Sequence, residues 1–239
     1  MCALKVFATW LFEEGYTRTD IFGRLKRPKV GEPVIEVLSD GEVGRIMECI
    51  NPNTFIGSRN YATVLILMDT GIRASELCGL TLEHTDIEGG EIKVLGKGKK
   101  ERYVPFGAGT KRALVRYINM FRPPSDSEEL FLSEDGNALT YNGLKLVIRR
   151  LAHKSGVERL HLHLFRHSFA VSWLVGGGDL ITLQKMLGHT TVSTTQLYLH
   201  LASAHAKVQH ERYSPVDRLG IGMAKKNGRH HAASRGASS

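Results

Sequence analysis

Apolar residues recur at helical spacing along most of the chain, and this pattern predicts a largely α-helical protein. Residues 1–27 carry one such apolar stripe and are predicted to form a helix that ends before Pro28. Residues 58–69 are apolar nearly all round, so we expect this helix to be central, with Gly71 ending it. Further helices are predicted at residues 73–80, 108–121, 140–154, 164–175, 179–187 and 192–209.

Three polar residues mark predicted helix starts. Ser39 is followed by Glu42 at the spacing of a capping box, which predicts that a helix begins there. Thr140 and Asp179 stand at the starts of two other predicted helices and are expected to cap them.

Two short segments follow the period of a strand instead. Residues 91–95 and 101–105 alternate polar and apolar positions, and a glycine- and lysine-rich stretch separates them. This pattern predicts an antiparallel β-hairpin with a basic tip. The chain is therefore expected to adopt an α+β fold that is mostly α-helical, with a small antiparallel sheet.

Composition narrows the class of protein. Of the 239 residues, 42% are hydrophobic and 23% charged, which is typical of a globular chain, and no apolar run is long enough to span a membrane. The three cysteines, Cys2, Cys49 and Cys78, are odd in number and far apart, which excludes a disulfide framework and favours the cytosol. The net charge of +8 favours a polyanionic partner such as nucleic acid.

Several common catalytic motifs are absent. The sequence has no P-loop and no G-x-S-x-G nucleophile elbow. His163 and His167 are four residues apart on a predicted helix and could chelate zinc, but Leu164 stands where the zincin pattern requires glutamate. No metal site is predicted.

Four motifs occur in order along the chain: T-G-I-R-A-S-E-L-C-G-L at 70–80, G-K-G-K-K-E-R-Y-V-P at 96–105, H-L-F-R-H-S-F-A at 163–170 and L-Q-K-M-L-G-H-T-T-V-S-T-T-Q-L-Y at 183–198. Together they resemble the tyrosine recombinases, also called phage integrases, and within that family the Xer-type branch. The resemblance covers residues 37–214. It implies a DNA breaking and rejoining catalytic domain that needs no metal, nucleotide or other cofactor.

The resemblance also implies a role for each of seven catalytic residues: Arg73, Glu76, Lys97, His163, Arg166, His189 and Tyr198. The two arginines would clamp the scissile phosphate, and Tyr198 would attack it to give a 3′-phosphotyrosine. His163 matches the first histidine of the H-x-x-R motif, and His189 matches a position held by histidine or tryptophan. Lys97 would protonate the leaving oxygen, and Glu76 would hold a neighbouring arginine or histidine in place.

The chemistry of these residue types suits those roles. Guanidinium groups stay charged and donate paired hydrogen bonds to phosphate oxygens, and these bonds strengthen as negative charge develops in the transition state. A tyrosine hydroxyl has a pKa of about 10 and is a weak nucleophile at neutral pH, so it needs a base and nearby cations.

DNA contacts are expected from basic residues outside the catalytic set: Arg24, Lys26, Arg27, Lys29, Lys99, Lys100 and Arg102. Residues 1–36 are interpreted as a remnant of a helical core-binding domain and its linker, residues 37–214 as the catalytic domain and residues 215–239 as a basic flexible tail. The expected partner is double-stranded DNA, bound by a homotetramer when two sites are synapsed and by a monomer or weak oligomer otherwise. The protein is expected in the cytoplasm, associated with the nucleoid and not with a membrane.

Two alternatives stay open at this point. One is a relaxase similar to type IB topoisomerases, which would use the same chemistry without pairing two sites. The other is a DNA-binding remnant that does not cut. The intact catalytic set argues against the remnant, whereas the short segment before residue 37 argues for it.

Overall fold

The computed structural model describes residues 2–19, 36–96 and 100–188. Contacts divide the chain into two compact units, Met1–Ile35 and Glu36–Ser239. The described part of the first unit holds one helix, α1 (Cys2–Glu13), in which the rings of Phe7 and Trp10 stack at 5.9 Å. The prediction of a continuous helix over residues 1–27 is wrong, because the chain turns after Glu13 and Gly15 adopts a φ of 76°.

The described part of the second unit is mostly helical. Its helices are α2 (Asp40–Glu48), α3 (Phe55–Thr70), α4 (Ala74–Cys78), α5 (Ala108–Arg116), α6 (Tyr141–Ser155), α7 (Leu162–Val175) and α8 (Leu180–Leu187). The predicted helix at 108–121 is one α-helix that continues as a π-helical turn, Tyr117–Phe121. The predicted helix at 192–209 lies outside the described residues.

A three-stranded antiparallel sheet lies between α4 and α5 in the sequence. Its strands, in the order β1 (Thr85–Asp86), β2 (Glu91–Leu95) and β3 (Glu101–Pro105), include both arms of the predicted hairpin. Ile92 pairs with Val104, and both side chains are fully buried. The mostly helical α+β class is therefore confirmed. Strand β1 was not predicted, because a strand of two residues is too short to show an alternating pattern.

Local capping places the helix starts where the sequence predicted them. The hydroxyl of Ser39 accepts the N–H of Glu42 at 3.4 Å, and the Glu42 carboxylate accepts the N–H of Ser39 at 2.9 Å, which completes the capping box. Thr140 and Asp179 each accept an N–H three residues later, at 3.1 and 2.8 Å. These side chains satisfy N–H groups that have no partner within the helix.

Helix α3 forms the centre of the core. It packs against α5, α7 and the π-helical turn, and Val64, Ile66 and Leu67 are at most 1% exposed. The central position expected from its apolar circumference is confirmed. Because α3 is enclosed on several sides, its C-terminal end is a fixed point from which the next residues are placed.

Candidate active site

A glycine turn connects the end of α3 to the start of α4. Gly71 ends α3 with a φ of 60°, and a Cβ at this position would lie 2.3 Å from a ring carbon of Phe169 and 3.0 Å from a methyl group of Leu187. Phe169 belongs to α7 and Leu187 to α8, so three helices meet where only glycine fits. Arg73, two residues later, starts from this junction.

Arg73 opens α4 and binds the carboxylate of Glu76 one turn later. The backbone N–H of Arg73 donates to Glu76 Oε2 at 2.8 Å, and Nη1 donates to Oε1 at 3.0 Å. The side chain of Glu76 is 4% exposed, whereas that of Arg73 is 38% exposed. The buried carboxylate therefore anchors an arginine whose guanidinium is partly open to solvent.

Arg102 on β3 holds the same carboxylate from a second direction. Its Nη1 and Nη2 donate to Oε1 and Oε2 of Glu76, each at 2.8 Å, and its Nε donates to the Met186 carbonyl at 2.8 Å. Arg102 was expected to contact DNA, whereas its guanidinium points inward to Glu76 and the Met186 carbonyl. The available signal was the strand period, which places Arg102 on the same face as the buried Val104.

The two arginines set the charge of Glu76. Burial raises the pKa of this carboxyl, but hydrogen bonds from Arg102 and from the Arg73 backbone, together with both positive charges, outweigh burial and lower the pKa below its ordinary value. Glu76 is therefore ionised at neutral pH. The guanidinium groups of Arg73 and Arg102 would repel each other, and the negative charge of Glu76 between them keeps them close together.

Arg166 on α7 bridges two helix ends from a buried position. Its Nη1 donates to the Gly71 carbonyl and its Nη2 to the Leu187 carbonyl, both at 2.7 Å, and the residue is 8% exposed. Carbonyls at the C-terminal end of a helix lack partners within the helix and carry the negative end of its dipole, so a guanidinium is well suited to bind them.

Three consecutive carbonyls, those of Met186, Leu187 and Gly188, form what we call the carbonyl end of α8. Each accepts a hydrogen bond from a different arginine: Arg102 at 2.8 Å, Arg166 at 2.7 Å and Arg73 at 3.3 Å. Gly188 adopts a φ of 62°, and a Cβ there would lie 2.9 Å from the Arg102 guanidinium carbon. The arginines thus fix the backbone immediately before His189.

Histidines surround the start of α7. Nδ1 of His161 accepts the N–H of Leu164 at 3.2 Å and caps the helix, a role that the sequence analysis did not assign. Desolvation lowers the pKa of His161 and of His167, and the charge of His163 lowers each further. His163 is exposed and lies three residues before Arg166, so both project from neighbouring positions of one helix face.

An open groove of about 1020 Å³ is lined by α6 and the start of α7. Among the described residues that line it, Glu158 is the one acidic residue, and the basic residues are Lys145, Arg149, Arg150, His153, Lys154, His161 and His163. The cations of α6 were not predicted as DNA contacts, because charges along one side of an amphipathic helix are typical of any solvent-exposed face. The groove makes the surface beside His163 electropositive.

The structure describes four of the seven predicted catalytic residues, and it joins Arg73, Glu76 and Arg166 around two helix ends. Lys100, a predicted DNA contact, is exposed, and its carbonyl accepts the N–H of Gly96 at 2.8 Å to close the base of the hairpin loop. The other predicted site residues lie outside the described residues: Lys97, His189, Tyr198, Arg24, Lys26, Arg27, Lys29 and Lys99.

The described ranges also bear on metal binding, thiol chemistry and membrane insertion. They contain no group of three histidine, cysteine or acidic side chains arranged to hold a metal ion. Burial raises the pKa of the Cys78 thiol to about 11, so this thiol is protonated at neutral pH. None of the helices in the described ranges has the length and apolar character needed to cross a membrane.

Comparison with known proteins gives consistent matches. Residues 36–205 match the model of the phage integrase family. The chain is 35% identical to tyrosine recombinase XerC of Oceanobacillus iheyensis over 219 residues, which cover 89% of this chain and 72% of that protein. Its structure is similar to that of XerA recombinase, with a TM-score of 0.63 and 31% identity over 76% of this chain and 67% of the other. A similar match, at 27% identity over 80% of this chain and 56% of the other with a TM-score of 0.63, is XerH bound to a palindromic difH substrate after cleavage.

Proposed function

The chain belongs to the phage integrase family and is a site-specific tyrosine recombinase, and from this premise we propose that Tyr198 cleaves DNA at a site built around Arg73, His163 and Arg166. One observation carries the assignment of the site. Arg73 and Arg166 lie on separate helices, yet both bind the carbonyl end of α8, which directly precedes His189. With Arg102, three elements distant in sequence, α4, β3 and α7, therefore supply arginines to the carbonyl end of a fourth, α8.

The proposed reaction proceeds by two transfers at one phosphorus atom. The Tyr198 oxygen attacks the scissile phosphate, the bond from phosphorus to the 5′-oxygen breaks, and a 3′-phosphotyrosine forms. His163 accepts the phenolic proton, and Lys97 donates a proton to the departing 5′-oxygen. A 5′-hydroxyl from the partner strand then attacks the phosphotyrosine, which releases Tyr198 and rejoins the DNA. The covalent link preserves the bond energy.

The arginines are suited to stabilise the transition state. The partly exposed Arg73 can reach a phosphate at the surface, and Glu76 fixes its orientation. Arg166 acts from a buried position, where water screens its charge less than at the surface. Donors that are already oriented need no rearrangement as negative charge grows on the phosphate, which is the main source of such stabilisation.

Double-stranded DNA is the proposed partner. The groove beside α6 supplies a cationic surface that leads to His163, and Lys100 extends the positive charge to the hairpin. Cations placed along a groove neutralise backbone phosphates without reading sequence, so these residues would hold the duplex over the catalytic arginines. XerH, a structural neighbour, is bound to its difH substrate.

The remaining assignments extend the same proposal. Residues 37–214 form the catalytic domain, residues 1–36 hold part of a helical core-binding domain and its linker, and residues 215–239 form a basic tail. The protein is a homotetramer on synapsed DNA, a monomer or weak oligomer without it, and acts in the cytoplasm at the nucleoid. Neither the relaxase nor the non-cutting remnant is favoured, because the relatives are named recombinases and the described catalytic residues are intact.

Substitution of Tyr198 tests the reaction. The substrate is a nicked duplex whose sequence is selected from a random pool by binding to the wild-type chain, and the readout is a DNA adduct that survives denaturant. Tyr198→Phe should bind this duplex as well as the wild type and form no adduct. The matched control, Tyr103→Phe, removes an exposed hydroxyl from β3 and should form the adduct at the wild-type rate. An adduct with Tyr198→Phe would refute the assignment.

A further inference from the structure

Arg102 connects three elements that carry the proposed site. From β3 it reaches Glu76 on α4 and the Met186 carbonyl at the end of α8. Glu76 in turn binds Arg73, and Met186 lies three residues before His189. A displacement of this one guanidinium would therefore move the groups on both sides of it.

The contacts of Arg102 leave little capacity for DNA. Three of its five guanidinium N–H groups donate hydrogen bonds of 2.8 Å within the protein, and the side chain is 13% exposed. The guanidinium is therefore already oriented by a carboxylate and a carbonyl, and little of its surface is open to a phosphate. Arg102 is thus unlike Lys100, which lies two residues earlier and is exposed.

Stability of the fold alone is a poor explanation for this ion pair. Burying a carboxylate and a guanidinium removes both from water, and well-packed apolar residues of similar volume often stabilise a protein as much or more. What an apolar pair cannot do is hold Arg73 by its charge and bind a backbone carbonyl at the same time. The planar, two-pronged geometry defines one orientation for both partners.

We infer that Arg102 is a positioning residue for DNA cleavage, which acts through Glu76 and the carbonyl end of α8 to place Arg73 and the backbone that leads into His189. The inference rests on the proposed function of Arg73 in binding the scissile phosphate. It replaces the DNA contact expected for Arg102. It also predicts that geometry, and not charge, is what cleavage requires at this position.

The test compares Arg102→Ala and Arg102→Lys in single-turnover adduct formation on saturating nicked duplex, well below the unfolding temperature of each variant. A misplacement of about 1 Å at a reacting centre can cost about a hundredfold in rate, so both variants should be slower by about that factor. Lysine retains the charge but cannot bind both carboxylate oxygens and the carbonyl, so Arg102→Lys should not recover activity.

Binding measured across a salt series separates positioning from DNA contact. Loss of one phosphate contact lowers the slope of log affinity against log salt by about 0.9. We expect the slope and affinity of both Arg102 variants to match the wild type, whereas Lys100→Ala should lower the slope. Lys111→Ala is the neutral control, because it removes a cation paired with Glu88 on the surface and should change neither slope nor cleavage rate.

A double variant tests whether Arg102 acts through Glu76. If it does, the loss of cleavage rate in Glu76→Gln combined with Arg102→Lys should be smaller than the sum of the two single losses, since residues in one network are not additive. Wild-type cleavage rates with Arg102→Ala and Arg102→Lys, additive losses in the double variant, or a lowered salt slope would overturn the inference and leave the proposed function intact. Failure of the wild-type chain to form any adduct would overturn both.

Discussion

Replacement of Glu76 by glutamine should lower the free energy of unfolding strongly, although the two side chains have nearly the same shape. The carboxylate accepts four hydrogen bonds, two from Arg73 and two from Arg102, and its side chain is 4% exposed. Glutamine has the same shape but carries no charge and presents an NH₂ group where one carboxylate oxygen stood. The NH₂ group of glutamine would then face N–H groups of Arg73 and Arg102, which are also donors.

The magnitude follows from the burial of each partner. Removing one member of a buried ion pair costs about 3–5 kcal/mol, and the pair with Arg102, which is 13% exposed, belongs to this class. The pair with Arg73 contributes at most about 1 kcal/mol, because that side chain is 38% exposed and water screens it. Glutamine keeps one acceptor oxygen, so we expect a loss of about 3 kcal/mol in the free energy of unfolding.

Urea denaturation of the wild type and Glu76→Gln from pH 7 to pH 3 measures this loss. The pKa of Glu76 in the folded protein lies below its ordinary value of 4.5, so its contribution is complete above that pH and disappears as the pH falls through the folded pKa. The difference between the two proteins should be constant from pH 7 to about pH 5 and shrink at lower pH.

Glu88→Gln is the matched control, because that carboxylate is 94% exposed and should leave the free energy of unfolding unchanged. A difference below about 1 kcal/mol between the wild type and Glu76→Gln at pH 7, or one that does not depend on pH, would refute the reasoning.

Three further predictions concern single positions. Gly71→Ala should lower the free energy of unfolding by about 3 kcal/mol, because it combines a positive φ with a Cβ placed 2.3 Å from an aromatic carbon. The control Gly156→Ala, at φ 69° with open space around it, should lower it by only about 1–2 kcal/mol, and equal losses in denaturation would contradict this reasoning. His161→Ala should lower the free energy of unfolding by about 1 kcal/mol at pH 8, because it removes a helix cap. This loss should diminish as the pH falls below 6.5, since the lowered pKa of His161 makes its protonation unfavourable in the folded state. A loss that does not depend on pH would exclude the cap. Lys97→Ala should cleave slowly on normal DNA and recover on a 5′-bridging phosphorothiolate, whose leaving group needs no proton; absence of recovery in adduct assays would reduce Lys97 to a DNA contact.

Much of the local structure could be predicted from the sequence, because its causes are local. Ser39 and Glu42 form the capping box that their spacing predicts, and Gly71 ends α3 in the left-handed region that other residues avoid. Both arms of the hairpin match the alternation of polar and apolar residues. Each of these features depends on a few neighbouring residues, so the order of side chains is sufficient.

Failures occurred where local signals were weak or equivalent. The apolar stripe of α1 ends at Phe12, and Gly15, which adopts a positive φ, was the available signal that the helix stops there. The π-helical turn after α5 keeps nearly the same spacing of apolar residues as an α-helix, so the pattern predicted one uniform element. Strand β1 is two residues long and gives no period to detect.

The sequence by itself determined which residue types are available for catalysis, since the four motifs predict Arg73, Glu76, His163 and Arg166 and fix their order. Only the tertiary structure decided that Arg73, Arg102 and Arg166 converge on three successive carbonyls at the end of α8. From the sequence alone, an arginine on a strand is interpreted as a solvated charge or a DNA contact. The structure shows that a buried carboxylate lies against Arg102. Glu76 lies 26 residues earlier in the chain, and the packing of α4 against the sheet brings it there. Electrostatic pairing depends on distance in space, which sequence separation does not encode.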